Sequence, residues 1–410
     1  MRQPASNTSN LTAQNRISKG MRSFQLYLGG NFIAACGEWL DMVALNWAVL
    51  AMTGSPVHLA IINACRLIPV FLLSIPAGIL ADRFDRRRLL LLLQASTTLL
   101  TLLIGLLFFL DSPFWLFAAA VCVRAVFQTM DPPIRNSMIP NLVPDDFIGR
   151  AIAMNTMALN LSRIIGPAIA GVLLATLETH EVIWLGAGGL VIELIALYLL
   201  RPVKEQGISS KGPLRDDVGE AFAFIKTKRT VQSLLLLAVV PMVFGFPYTS
   251  MLPVFVDQLM NLGPGGFGAL LSVSAAGAVL GSVWLSLRKG QQHAGRWLIT
   301  SVLGFGSSLL LFMFAGNFWL AAVMMFFVGL TGQTYRTMSR ITMQMQVPDH
   351  LRGRIMSIAL MDRGFMPLGA ILIGTVATSF GALWAGVMMG AGCIVVTLAV
   401  LLTRRQIWHI

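Results

Sequence analysis

Gly78-Ile79-Leu80-Ala81-Asp82-Arg83-Phe84-Asp85-Arg86-Arg87-Arg88 closes one long apolar run, Pro56 to Ala81, and opens another, Leu89 to Leu110. Six charges fall within seven residues, between two stretches that are each long enough to cross a bilayer. The stretch reads as a tight basic hairpin at a membrane surface.

Composition extends that reading to the whole chain. Of 410 residues, 56% are hydrophobic and only 12% charged, and the mean hydropathy is +0.74. A soluble domain carries about 25% charged residues. A span needs roughly 20 apolar residues, and twelve candidates follow: about 24–52, 56–81, 89–110, 114–140, 151–176, 182–201, 231–257, 265–287, 297–315, 318–345, 354–379 and 382–403. The expected fold is an all-α integral membrane protein.

Lys and Arg set the expected orientation. With the N-terminus in the cytoplasm, the basic segments 82–88, 145–150, 201–229, 288–296, 349–354 and the tail Arg404-Arg405 all fall on one side. The opposite loops, near Thr53, Asp111, Glu178–Glu181, Asp257–Gly266, Gly316 and Phe380, hold no Lys or Arg. That is the positive-inside pattern. It accounts for the net charge of +12 without a nucleic-acid partner. The N-terminal stretch to Ser23 is polar and basic and does not read as a signal peptide. Cys36, Cys65, Cys122 and Cys393 lie far apart inside apolar runs, with no metal-ligand spacing.

The expected organisation is a cytoplasmic tail (1–23), a six-helix half (24–202), a cytoplasmic linker (203–230), a second six-helix half (231–403) and a second cytoplasmic tail (404–410). Within the linker, Val218, Phe222 and Ile225 at helical spacing predict an amphipathic helix over Arg215 to Lys228. The halves repeat. Val143-Pro144-Asp145-Asp146-Phe147-Ile148-Gly149-Arg150 is matched by Val347-Pro348-Asp349-His350-Leu351-Arg352-Gly353-Arg354, each joining the fourth and fifth spans of its half. Asp145 and Asp349 suit the start of the following helix. An even number of spans per half gives both repeats one orientation, hence a pseudo-twofold axis along the membrane normal and a central cavity.

Twelve spans as six plus six, with this hairpin between spans two and three, resemble the major facilitator superfamily, over nearly the whole chain. Gly78, Asp82, Arg83, Arg86 and Arg87 match its Gly-x-x-x-Asp-Arg-x-Gly-Arg-Arg/Lys pattern, and Asp85 replaces the second glycine. That replacement, the run Asp41 to Arg88 and the Val-Pro-Asp/Gly-Arg joints resemble the branch of enterobactin exporters and macrolide efflux proteins. The resemblance implies secondary transport by alternating access and no cofactor. The hairpin residues are then gating residues: Asp82 would face the positive N-terminus of span eleven in one state and release it in the other. The alternative is that the arginines mark topology alone.

Ionisable residues inside spans cost about 2.5–3.5 kcal/mol each if left alone. Glu38 and Asp41 lie in span one, three apart and on one helix face that Asn31 extends; Arg66, Arg124, Arg163, Glu193 and Asp362-Arg363 lie in spans two, four, five, six and eleven. Glu38 and Asp41 are candidate proton carriers, poised by Arg124 and Arg66, because burial favours the neutral acid and a nearby arginine the ionised one. Arg124 followed by Gln128 resembles the superfamily's span-four motif. Fixed structural pairing of these groups stays open beside coupling. Gly166-Pro167 and Gly171 in span five resemble a reduced form of the superfamily's antiporter motif, and predict close packing on span eight, which offers Gly268, Ala275, Gly277 and Gly281.

The remaining cavity candidates are Trp39, Phe127, Phe244, Phe246, Tyr248, Gln333 and Tyr335 beside Asn31, Arg163 and Asp362. Pro241, Pro247 and Pro253 predict an irregular span seven. No phosphate loop, zinc spacing or serine elbow occurs, and the five histidines are scattered, so neither ATP coupling nor an enzyme is expected. The expected function is proton-coupled export of an amphiphilic organic compound, a drug or siderophore, from the bacterial inner membrane by a monomer. The alternatives are uptake of a small polar solute and, from another class, a non-transporting membrane sensor or scaffold.

Overall fold

The computed structural model describes residues 5–81, 85–200, 224–287, 293–348, 351, 355–356, 358–359 and 361–409. Among these the chain is helical throughout, with no strand. Span one is the helix Ala5–Thr53, whose apolar part is Met21–Thr53. The rest of the first half follows as Pro56–Ala81, Arg86–Phe109, Phe114–Leu142, Ile148–Leu173 and Thr179–Leu199. In the second half span seven is Arg229–Val240, a π turn Pro241–Gly245 and Tyr248–Met260. Spans eight to ten are Gly263–Leu287, Ala294–Met313 and Phe318–Gln346. The last two are Met366–Phe380, preceded by a 3-10 turn at Met361–Phe365, and Ala382–Thr403.

Eleven of these helices are long and apolar enough to cross a membrane, and Met366–Phe380 is a shorter apolar helix at the position of span eleven. Span eleven, expected over 354–379, is helical at the described residues 355–356 and 358–359, tightens to the 3-10 turn and continues as Met366–Phe380, with Pro367 in the first turn of that helix, where the missing N–H costs nothing. Span seven is irregular where its prolines predict.

Helix ends have local causes. Asp85 accepts a hydrogen bond from the Arg88 backbone N–H at 2.8 Å and caps span three. The residue that departs from the hairpin pattern is therefore a helix cap. Asn317 caps span ten through the Leu320 N–H at 2.9 Å, and Glu178 with Glu181 forms a reciprocal capping box on span six. Asp145 opens a 3-10 turn, Asp145–Phe147, ahead of span five. Asp82, Arg83, Asp349 and most of the linker lie outside the described residues; of the expected linker helix, 224–227 are described and helical.

The chain forms two compact units. The first holds residues 1–44, 72–166 and 177–209; the second holds 45–71, 167–176 and 210–410. The boundaries cut through spans one, two and five.

In the first unit, small residues bring spans one and six together backbone to backbone. A methyl at Gly186 would lie 2.7 Å from the Gly37 carbonyl oxygen, and one at Gly189 would lie 2.9 Å from that of Ile33. An apolar core of Phe24, Tyr27, Leu90, Leu93, Ile134, Met138 and Leu197 joins spans one, three, four and six. In the second unit, Gly277 of span eight abuts the Phe326 carbonyl and Gly329 of span ten abuts that of Ser274. Spans nine and twelve meet at Gly306 and Gly390.

Candidate functional site

The first unit contains two charged centres built from the inward faces of its helices. In one, Arg124 of span four holds Asp41 of span one. Nη1 donates to Oδ1 at 2.9 Å and Nη2 to Oδ2 at 2.7 Å, while Nη1 also donates to Oγ1 of Thr101 on span three. Both charged side chains are buried, 2% and 6% exposed. The fork-to-fork geometry satisfies both carboxylate oxygens with one guanidinium, so the pair is neutral as a unit.

The other centre is Arg135, also on span four. It pairs with Asp131 one helical turn earlier and with Glu193 of span six. It further donates to the side-chain oxygens of Asn31 at 3.0 Å and Gln94 at 3.2 Å. Asn31 in turn donates to Asn155 Oδ1 at 2.8 Å. Spans one, three, four, five and six thus each contribute a side chain.

Neither Asp131 nor Arg135 is prominent in the sequence. Asp131-Pro132-Pro133-Ile134-Arg135 near the end of an apolar run resembles an ordinary surface pair at i, i+4 spacing. The lone Gln94 within Leu89 to Leu93 and Ala95, and the lone Glu193, are the traces that mark a buried polar layer.

Glu38 is exposed and makes no hydrogen bond or ion pair among the described residues. It nonetheless lies within electrostatic range of Asp131, Arg135, Glu193 and Arg124. Arg66 is half-buried in the second unit. Arg163 is half-buried and has no ion-pair partner among the described residues.

The span-five motif divides. Gly171 lies against span eight, where a methyl would meet the Pro264 carbonyl oxygen at 3.0 Å and Gly268 Cα at 3.2 Å, and Gly268 abuts the Pro167 carbonyl. Gly166 faces span one instead: a methyl there would lie 2.5 Å from Cβ of Trp39. At about 100° per residue, positions five apart cannot share one helix face. The expectation that the whole motif packs on span eight is corrected for Gly166.

The aromatic candidates are mostly packed. Trp39 covers Gly166. Phe127 sits against the apolar core of the first unit, and Phe244 lies over Gly392. Tyr248 is buried, its hydroxyl 2.8 Å from Ser274 Oγ, and buried Tyr335 donates to the Ala238 carbonyl at 3.3 Å. Both rings join Phe246 and Phe305 in one cluster, and the guanidinium of Arg336 lies 3.8 Å from the centre of the Phe246 ring. Arg336 is a further charge that the sequence reading did not single out. Gln333 and Asp362 are half-buried. Gly78 lies in span two and Arg86 opens span three. Arg87 bonds across to span six, Nη2 donating to the Tyr198 carbonyl at 2.6 Å and Nε to that of Leu197 at 3.4 Å.

A family model described as transmembrane secretion effector matches residues 21–409. The staphyloferrin A transporter of Staphylococcus aureus is 29% identical over 388 residues, covering 93% of this chain and 96% of its own. Macrolide efflux protein A of Streptococcus pyogenes is 22% identical over 365 residues, 87% of this chain and 90% of its own. A crystal structure of the nucleoside transporter NupG aligns with a TM-score of 0.73 at 13% identity over 93% of this chain and 98% of that one, a likeness of fold.

Proposed function

Because the chain belongs to the transmembrane secretion effector family of the major facilitator superfamily, we propose that it exports an amphiphilic organic compound, siderophore or drug, in exchange for protons. The fold is that of a secondary active transporter. Alternating access, by rocking of helical repeats about a site at mid-membrane, is how such folds move solutes. The protein acts as a monomer in the bacterial inner membrane with both termini in the cytoplasm, and lipid, protons and the cargo are its partners. Nucleic acid is not among them.

One observation supports proton coupling above the rest. Within apolar spans, Asp41 is fully matched by Arg124, whereas Glu38 one turn away is accessible and unmatched. A carboxylate in that position is stable either protonated or beside a mobile cation. Asp41 and Arg124 are then the fixed clamp and Glu38 the exchanging group. Gly78, Asp82, Arg83, Arg86 and Arg87 serve gating at the hairpin, Arg66 belongs with the proton-coupling charges, and Arg163 and Asp362 belong with the substrate cavity. The amides Asn31, Asn155 and Gln94 are engaged with Arg135, with one another or with backbone. Engagement of these three weighs against uptake of a small polar solute, which needs free amides along its path.

The test uses everted vesicles from cells overproducing the protein, energised to an acid interior and monitored with a pH-sensitive dye. Adding a macrolide or a siderophore should dissipate the gradient with wild-type protein, and not with Glu38→Gln. No dissipation with any amphiphile, or full dissipation with Glu38→Gln, refutes the proposal.

A further inference from the structure

We infer that Asp131, Arg135 and Glu193 form a second proton-binding site, in which two carboxylates share one guanidinium and Asp131 carries the exchangeable proton. The inference rests on the reading of proton-driven export but concerns residues outside the Asp41–Arg124 clamp.

Charge count is the first ground. Arg135 is matched by two acids, so the cluster holds one negative charge in excess when both are ionised. An uncompensated charge in an apolar span is costly, and one proton removes it. The groups facing the cluster from each packed element are Tyr27, Asn31 and Glu38 on span one, Gln94 on span three, Asn155 on span five and Glu193 on span six. Among the described residues none of these is a second cation. The Tyr27 hydroxyl, buried and without a well-formed hydrogen bond, lies beside the guanidinium, a polar atom that water or a proton can engage.

Geometry assigns the roles. Glu193 is 2% exposed and comes from another helix, which makes it the standing partner of Arg135. Asp131 is 21% exposed and shares a helix with Arg135, so it can release the guanidinium by a side-chain rotation alone. On protonation, a proton from water adds to a carboxylate oxygen of Asp131. Arg135 stays with Glu193 and keeps its neutral acceptors, Asn31 at 3.0 Å and Gln94 at 3.2 Å. On release the proton returns to water and Asp131 re-forms its pair.

The test reads protonated carboxyl groups by infrared difference spectroscopy of the purified full chain between acidic and alkaline pH, which needs no cargo. Wild type should show a titrating carboxyl band. Asp131→Asn should lose one component of it. Glu193→Gln should lose the same component, because Asp131 and Arg135 then balance. Asp131→Glu, which keeps the acid and guards against misfolding, should retain the component at a shifted frequency. A band unchanged in Asp131→Asn, or unmoved in Asp131→Glu, overturns the assignment. Loss in Asp131→Asn and Glu193→Gln while wild-type vesicles fail to use a pH gradient leaves this site standing and refutes proton-driven export instead.

Discussion

Arg124 and Asp41 are joined by two parallel hydrogen bonds of 2.9 and 2.7 Å and are buried together between spans one and four. Removing one partner strands the other charge in an apolar bundle. Breaking a buried pair this way costs about 3–5 kcal/mol. Asp41→Asn and Arg124→Gln should therefore both lower the thermal midpoint of the purified protein and its yield in the membrane. Replacing both at once should recover part of the loss. A thermal shift series on the two single variants and the double variant checks this.

Glu38 should behave in the opposite way. Among the described residues it has no ion-pair partner to strand, so Glu38→Gln should change stability by no more than about 0.5 kcal/mol, while proton-linked transport is lost. A thermal midpoint equal to wild type, measured beside the vesicle assay, is the expected result.

Asp85 caps span three through the Arg88 N–H. Asp85→Ala should destabilise by about 0.5–2 kcal/mol, and Asp85→Gly by only a few tenths. Glycine is the residue of the superfamily pattern at this position, so the two substitutions separate the cap from the pattern. Chemical unfolding of the two variants in detergent gives the comparison.

Gly268 leaves no room for a side chain, because a methyl there would lie 2.9 Å from the Gly171 nitrogen. Gly268→Ala should cost about 1–3 kcal/mol through overpacking of the seam between spans five and eight. Gly316, with open space around it, is the control: Gly316→Ala should leave the thermal midpoint nearly unchanged.

The span pattern and the irregular span seven were legible because hydrophobic length and proline are local properties. That the charges of spans one, two and four answer one another was an open alternative in the sequence, since none tolerates lipid, but which acid Arg124 would hold was not legible. Helix rotation was not. It decides that Gly166 meets Trp39 while Gly171 meets Gly268, and it turns the Tyr248 and Tyr335 rings into a packed cluster. The Arg135 centre escaped for a related reason. Its six members lie on five helices; Asn31 and Glu193 stood out singly in the sequence, and only tertiary packing brings them to Asp131 and Arg135.

Span five passes from one compact unit to the other between Gly166 and Pro167. A proline ring nitrogen has no hydrogen to give, so the carbonyl of Arg163, four residues earlier, lacks its usual helical donor. Flexure at that point breaks no backbone bond. Span five therefore carries, inside one continuous helix, a carbonyl whose lone pairs no backbone donor of that helix claims.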